Sequence, residues 1–246
     1  MAAAAPRKLR VLCLHGYAQS AQQFRQKTGS LRSESKKVAE WMFAAAPHAL
    51  NAEQLQARRE QTGRAVPEGQ AAVPEEELFS WWRYDRADDT YDSATLDASV
   101  AALADIYQTD GPFDGVLGFS QGAAMALILA ARQQQGTLPA ALQGRVGFVA
   151  LFSGFLPHDE AMAAEIVAIG ELSSESFHSF GEQDAIIPTD MSRRAVGCFG
   201  ANAVVVTHAG GHLVSSERPV RKGFKAFLQE RRAEIVAEEG LAAVSV

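Results

Sequence analysis

Apolar residues in this chain fall into short blocks, and longer stretches of helical spacing separate them. Six blocks have the length of strands: Leu9–Leu14, Glu40–Ala45, Gly115–Phe119, Val146–Phe152, Ser176–Phe180 and Val204–His208. Five longer stretches predict helices, at Ser20–Val38, Thr95–Tyr107, Gln121–Gln134, Thr189–Cys198 and Glu217–Glu238. The run Val146-Gly147-Phe148-Val149-Ala150-Leu151-Phe152 is apolar on both faces, as a central strand of a parallel sheet must be. The alternation predicts an α/β architecture: a mostly parallel central sheet of about six or more strands with helices on both faces. There is no internal repeat, and the tail Leu241–Val246 is expected to fray.

One region breaks the alternation. From Pro47 to Asp92 the chain is polar, with Gly63, Pro67, Gly69, Pro74 and the acidic run Glu75-Glu76-Glu77. A stretch of this length without periodicity predicts a loop or cover segment over roughly residues 47–92. Phe79, Trp81, Trp82 and Tyr84 cluster near its end. These rings can anchor the segment on the core, or they can line an acyl-binding cleft.

Composition narrows the function classes. The 246 residues fit a single domain, 1–246, with room for a substantial core. A net charge of −6 argues against nucleic acid as partner. No apolar stretch is long enough to span a bilayer, and the first residues lack the apolar centre of a signal peptide, so a cytoplasmic location is expected. The two cysteines, Cys13 and Cys198, are expected to be reduced, and neither has neighbours at metal-ligand spacing. No metal or cofactor is expected. The sequence leaves monomer and dimer open.

The chemistry enters with Gly118-Phe119-Ser120-Gln121-Gly122, which closes a strand-like block and opens a helix-like one. The Gly-x-Ser-x-Gly pattern by itself arises by chance about 0.1 times in a chain of this composition, so its context carries the signal. Between a strand and a helix it is the nucleophile elbow of the α/β-hydrolase fold, with Ser120 as nucleophile. Its turn is so sharp that the residues two before and two after the serine must be small.

Three further segments stand at predicted strand ends. His15-Gly16-Tyr17 follows the first strand, so the backbone amides of Tyr17 and Gln121 are the candidate oxyanion hole. Asp184 lies in the Gly-containing loop after Phe180 and is the candidate acid; Asp190 reads as part of a helix start and Glu182 fits less well on spacing. His212, after Gly210-Gly211, is the candidate general base, with His208 read as structural. The order Ser120, Asp184, His212 is that of the α/β-hydrolase triad. His15, Trp81 and Trp82 are the candidate substrate contacts.

Several motifs together look like one family. Arg10-Val11-Leu12-Cys13-Leu14-His15-Gly16-Tyr17 with Gln19-Ser20, the Trp81-Trp82 pair, Gly111-Pro112-Phe113-Asp114-Gly115 leading into the elbow, and Gly210-Gly211-His212 resemble the FSH serine hydrolases. The resemblance runs from about Arg7 to Leu228, with Ala52–Ala72 unmatched. It implies a small α/β-hydrolase that acts on carboxylic esters without a cofactor, and in some fungal relatives a thioesterase that releases polyketides. It assigns Ser120, Asp184 and His212 as the triad. The family's proline shortly after the histidine is absent, and Ser215 and Ser216 stand there instead.

The expected activity is therefore cleavage of a small ester, with an apolar acyl group, through an acyl-enzyme. The alternatives are a thioesterase acting on acyl-CoA or carrier-bound acyl chains, and a non-catalytic binding protein built on the same fold.

Overall fold

Along β1 (Leu9–Leu14), Leu9, Val11 and Cys13 face one side of the sheet, while Leu12 and Leu14 face the other. Both sets are buried, so this strand needs a layer of helices on each side. The computed structural model, which describes residues 6–51, 53–56, 78–85 and 90–244, supplies both layers.

Helices α1 (Ala21–Lys27) and α2 (Gly29–Ser35) follow β1, and β2 (Ala39–Ala44) comes next. Four two-residue strands succeed it: β3 (His48–Ala49), β4 (Phe79–Ser80), β5 (Tyr84–Asp85) and β6 (Thr90–Tyr91). The rest runs α3 (Ser93–Thr109), β7 (Gly115–Phe119), α4 (Gln121–Gln135), β8 (Phe148–Phe152), α5 (Glu160–Ala168), β9 (Glu175–Ser179), α6 (Thr189–Gly197), β10 (Ala203–Val205) and α7 (Arg218–Val244). Six strands form one sheet in the order β10-β9-β8-β7-β1-β2, and every pairing in it is parallel.

Two cores sandwich the sheet. On one face Phe24 of α1, Leu31 of α2 and Val220, Phe224, Phe227 and Leu228 of α7 cover Phe119, Phe148, Phe152 and Phe177. Phe224 meets Phe152, Phe177 and Trp41 at centroid distances of 5.6, 5.1 and 5.9 Å and so pins α7 across three strands. On the other face α3, α4, α5 and α6 cover Leu12, Leu14, Val116, Val149 and Leu151. Residues 121–131 of α4 are buried on all sides, which explains a helix segment made almost wholly of apolar residues.

Several boundaries differ from the sequence expectation. The single helix expected over Ser20–Val38 is two helices, because Thr28 turns its hydroxyl back onto the carbonyls of Phe24 and Arg25, and Gly29 starts afresh. Helix α5 was absent from the pattern, although Asp159 caps it by accepting from the Met162 amide at 2.8 Å. Helix α7 continues to Val244, so most of the tail expected to fray is helical; residues 245–246 lie outside the described residues.

The segment expected as a cover, 47–92, lies partly outside the described residues, at 52, 57–77 and 86–89. Strand β3 pairs with β4, and β5 pairs with β6, both antiparallel.

Candidate active site

Strands β1 and β7 are neighbours, yet their exits part: β1 leads to α1 on one face and β7 to α4 on the other. In open parallel sheets the crevice at such a parting, at the strands' carboxyl ends, is where ligands bind. Ser120 ends β7 at this point with φ 53° and ψ −118°, a backbone state that a residue bearing a Cβ rarely occupies. The surroundings enforce it. A Cβ on Gly118 would stand 2.1 Å from the Gly122 carbonyl oxygen, and one on Gly122 would stand 2.2 Å from that of Leu14. The elbow therefore fits only with glycine on both sides, and it presses the start of α4 against the end of β1.

The Asp184 and His212 loops are laced together by their backbones. The His208 amide donates to the Phe180 carbonyl at 3.2 Å, the Glu182 amide to His208 at 2.8 Å and the Gln183 amide to Gly210 at 3.1 Å. His212 Nδ1 lies 2.8 Å from Asp184 Oδ2, and its Nε2 lies 3.0 Å from Ser120 Oγ. The Phe119 ring packs beside the imidazole with centroids 4.8 Å apart. Of the three side chains, that of Asp184 is fully enclosed, whereas that of His212 keeps 19% of its surface exposed.

Burial alone would push the Asp184 carboxyl up. Hydrogen bonds from His212 and from the Ile187 and Ile186 amides outweigh that and hold it below its ordinary value. An ionised carboxylate only accepts, so Nδ1 carries the proton and donates. Nε2 of the neutral ring is then the acceptor for the Ser120 hydroxyl. The structure thus brings the three candidates Ser120, His212 and Asp184 into one hydrogen-bonded line.

The candidate substrate contacts turn out differently. His15 and Trp81 are wholly buried and Trp82 is 4% exposed, so none of the three lines an open cleft. Their polar atoms bind the protein itself. Trp81 Nε1 donates to the His15 carbonyl at 2.8 Å, and the Ser99 hydroxyl donates to the Trp81 carbonyl. The Gln121 side chain accepts from the Trp81 amide at 2.9 Å and donates to the Trp82 carbonyl at 3.0 Å. His15 Nε2 accepts from the Ala46 amide at 3.1 Å, which leaves Nδ1 to donate to the Gly16 carbonyl at 2.8 Å. Burial pushes the His15 imidazole down to about 4, so it is neutral near pH 7. These residues anchor the segment on the core and brace the loop after β1.

That loop carries Tyr17, and the Gln121 amide lies in the first turn of α4. The Ala18 amide donates to the Phe79 carbonyl at 2.9 Å, the Phe79 amide to Gln19 at 3.0 Å, and the Gln19 side chain accepts from the Gly16 amide at 3.2 Å. One buried residue beside the relay was missed entirely: Ser153, whose hydroxyl donates to Asp184 Oδ2 at 3.0 Å. Both cysteines are free thiols in the core. Among the described residues, no group of three or more His, Cys, Asp or Glu is placed to hold a metal ion, and no helix is long and apolar enough to cross a membrane.

The fold is shared with solved structures of low identity. Maize acyl-protein thioesterase 2 superposes with a TM-score of 0.62 at 18% identity, covering 93% of this chain and 95% of that one. The Bacillus cereus carboxylesterase gives 0.60 at 16% identity, covering 91% and 89%. Both comparisons place the chain in the α/β-hydrolase fold. At the level of sequence, esterase OVCA2 of Danio rerio is 34% identical over 232 residues, 90% of this chain and 96% of that protein. Its Homo sapiens counterpart is 34% identical over 239 residues, 92% and 98%. The model of the family described as "Serine hydrolase (FSH1)" matches residues 3–224. With the elbow inside that span and the relatives matched nearly end to end, this chain belongs to the FSH1 serine hydrolase family.

Proposed function

We propose that this protein hydrolyses carboxylic esters through an acyl-enzyme formed on Ser120. The observation that carries the reading is the continuous hydrogen-bonded line from Ser120 Oγ through His212 to the enclosed carboxylate of Asp184. His212 Nε2 takes the hydroxyl proton as Ser120 Oγ attacks the acyl carbonyl carbon. The ester's C–O bond then breaks, and the same proton passes to the departing alkoxide. Water repeats the sequence: His212 accepts its proton, hydroxide attacks the acyl-enzyme, and the carboxylic acid leaves as Ser120 regains its hydrogen. Asp184 keeps the imidazole in the tautomer that can accept, and it stabilises the transient imidazolium.

The backbone amides of Tyr17 and Gln121 serve as the oxyanion hole, each worth about 3 kcal/mol in the transition state. For Gln121 the support is its place in the first turn of a helix, where amides and dipole both favour an anion. Tyr17 stands in the loop that the Trp81 segment braces. The substrate's apolar part is met at the rim. Ile186, two residues from Asp184, and Leu213, next to His212, are 41% and 44% exposed. The esterase names of the relatives agree with this substrate class.

A fluorophosphonate probe tests the assignment. One adduct is expected, mapped to Ser120 and lost in Ser120→Ala, with p-nitrophenyl ester turnover reduced by about three orders of magnitude or more. An adduct or turnover that survives Ser120→Ala refutes the nucleophile. Matched ester and thioester substrates of one acyl group test the substrate class, with the larger kcat/KM expected for the ester. The reverse ranking would make the enzyme a thioesterase.

A further inference from the structure

Ser153 is the residue directly after β8, at the same carboxyl edge of the sheet as Ser120. Its amide donates to the Ser179 carbonyl at 2.8 Å, which ties it to the strand leading towards Asp184. Its φ is +48°, in the left-handed region that disfavours any residue with a Cβ. The next residue is Gly154, which is not in that region. The chain thus places a side chain at 153, where glycine would be comfortable, while a Cβ on Gly154 would stand 2.9 Å from Leu151 Cβ. Strain of this kind persists only where the surrounding structure holds it, and such positions cluster at functional sites.

The hydroxyl has one acceptor. Ser153 is 0% exposed, and Oγ donates to Asp184 Oδ2 at 3.0 Å, the oxygen that also accepts from His212 Nδ1 at 2.8 Å. The other oxygen, Oδ1, accepts from the Ile186 and Ile187 amides at 3.0 and 2.9 Å. Each carboxylate oxygen therefore has two donors, and Ser153 is the only side chain besides His212 among the four.

We propose that Ser153 is a positioning residue for this relay: its hydroxyl fixes Oδ2 towards His212 and takes up part of that oxygen's charge. The proposal rests on the reading of Ser120, His212 and Asp184 as the triad. Without the hydroxyl, Oδ2 would be held by His212 alone, and carboxyl rotation about χ2 is soft. Its charge would also fall more heavily on the imidazolium, which would then release its proton to the leaving alkoxide less readily. Other charged or titratable groups act near Asp184. His208 feels the charges of Glu217, Asp184 and Glu182, and burial holds it below its ordinary range.

The test compares Ser153→Ala and Ser153→Gly with Ser120→Ala, using a p-nitrophenyl ester across pH and thermal unfolding. Both Ser153 variants are expected to lose about tenfold in kcat, with KM within about twofold, as for one charge-assisted hydrogen bond. The acidic limb of kcat/KM is expected to move about half a unit to higher pH, because a more basic carboxylate retains the imidazolium proton. Ser153→Gly is expected to melt within about 2 °C of the unaltered protein, since relief of strain offsets the added chain entropy. A structural role alone predicts that rate follows stability in both variants and that the limb stays in place; that result overturns the proposal. Unchanged kcat in both variants, with Ser120→Ala inactive, overturns it too and leaves the triad standing. Full turnover by Ser120→Ala removes the triad reading and this one with it.

Discussion

The elbow at Ser120 and the Trp81–Trp82 segment meet at one residue, Gln121, but they are held by opposite means. The elbow is held by exclusion: carbonyl oxygens crowd Gly118 and Gly122 so closely that a Cβ fits at neither. The Trp segment is held by attraction: its Trp81 amide and indole donate to Gln121 and the His15 carbonyl, and its carbonyls accept from Ser99 and Gln121. Steric exclusion leaves a mark in sequence because it demands glycine at fixed spacing. Hydrogen bonding to backbone leaves almost none, because any residue offers the same amide and carbonyl.

The comparison can be broken at either side. The largest effect is expected from Gly122→Ala, whose Cβ would meet the Leu14 and His15 carbonyl oxygens at 2.2 and 2.5 Å. It should abolish soluble protein or lower kcat more than about 100-fold by displacing Ser120, as chromatography and ester turnover would report. A folded variant with ordinary kcat would show that the turn has slack. Next comes Gln121→Ala, which removes the acceptor of the buried Trp81 amide and one donor to the Trp82 carbonyl. A loss of about 2–4 kcal/mol in urea unfolding is expected, and a loss under 1 kcal/mol would mean water replaces the side chain.

Trp81→Phe keeps most of the packing and removes only the bond from Nε1 to the His15 carbonyl. It should cost about 1–2 kcal/mol and leave KM within twofold. A several-fold rise in KM would return Trp81 to the substrate. The pH dependence is gentler. Burial pushes His15 and His178 down to about 4 and about 3, whereas an unfolded chain protonates near 6.5. Folded pKa values that are lowered mean full stability above about pH 6.5 and progressive loss as pH falls towards 4. Each histidine adds a slope of up to about 1.4 kcal/mol per pH unit, so His178→Gln should flatten the profile of unfolding free energy against pH. The smallest effect serves as a distant control. Glu239, 53% exposed in its pair with Arg7, should tolerate Gln with a change of no more than about 0.5 kcal/mol.

The same contrast explains what could be read from the chain. The edges of β1 and β7 coincide with the expected ones because their apolar runs stop abruptly, at His15 and at the elbow. The three candidate residues could be picked out because each lies within three positions of a glycine, just after a strand-like block. Ser153 also stands beside a glycine, but nothing local reveals that its φ is positive or that the Asp184 loop folds over it. The burial of Trp81 was equally hidden, since it depends on a side chain forty positions later in sequence. Helix α5 was overlooked for a smaller reason: its cap and helix formers are present, but only Ala163 and Ile166 are buried, too few to make a periodic stripe.

The contact between Gly122 and the end of β1 also sets where this enzyme can be re-engineered. Nucleophile, helix start and first strand form one block without spare volume, so substitutions inside it trade against folding itself. Variation at Ile186 and Leu213 meets solvent rather than carbonyl oxygens. A library confined to those two positions should therefore yield many soluble variants with altered acyl-length preference, whereas one spread over 118–122 should yield few that survive expression.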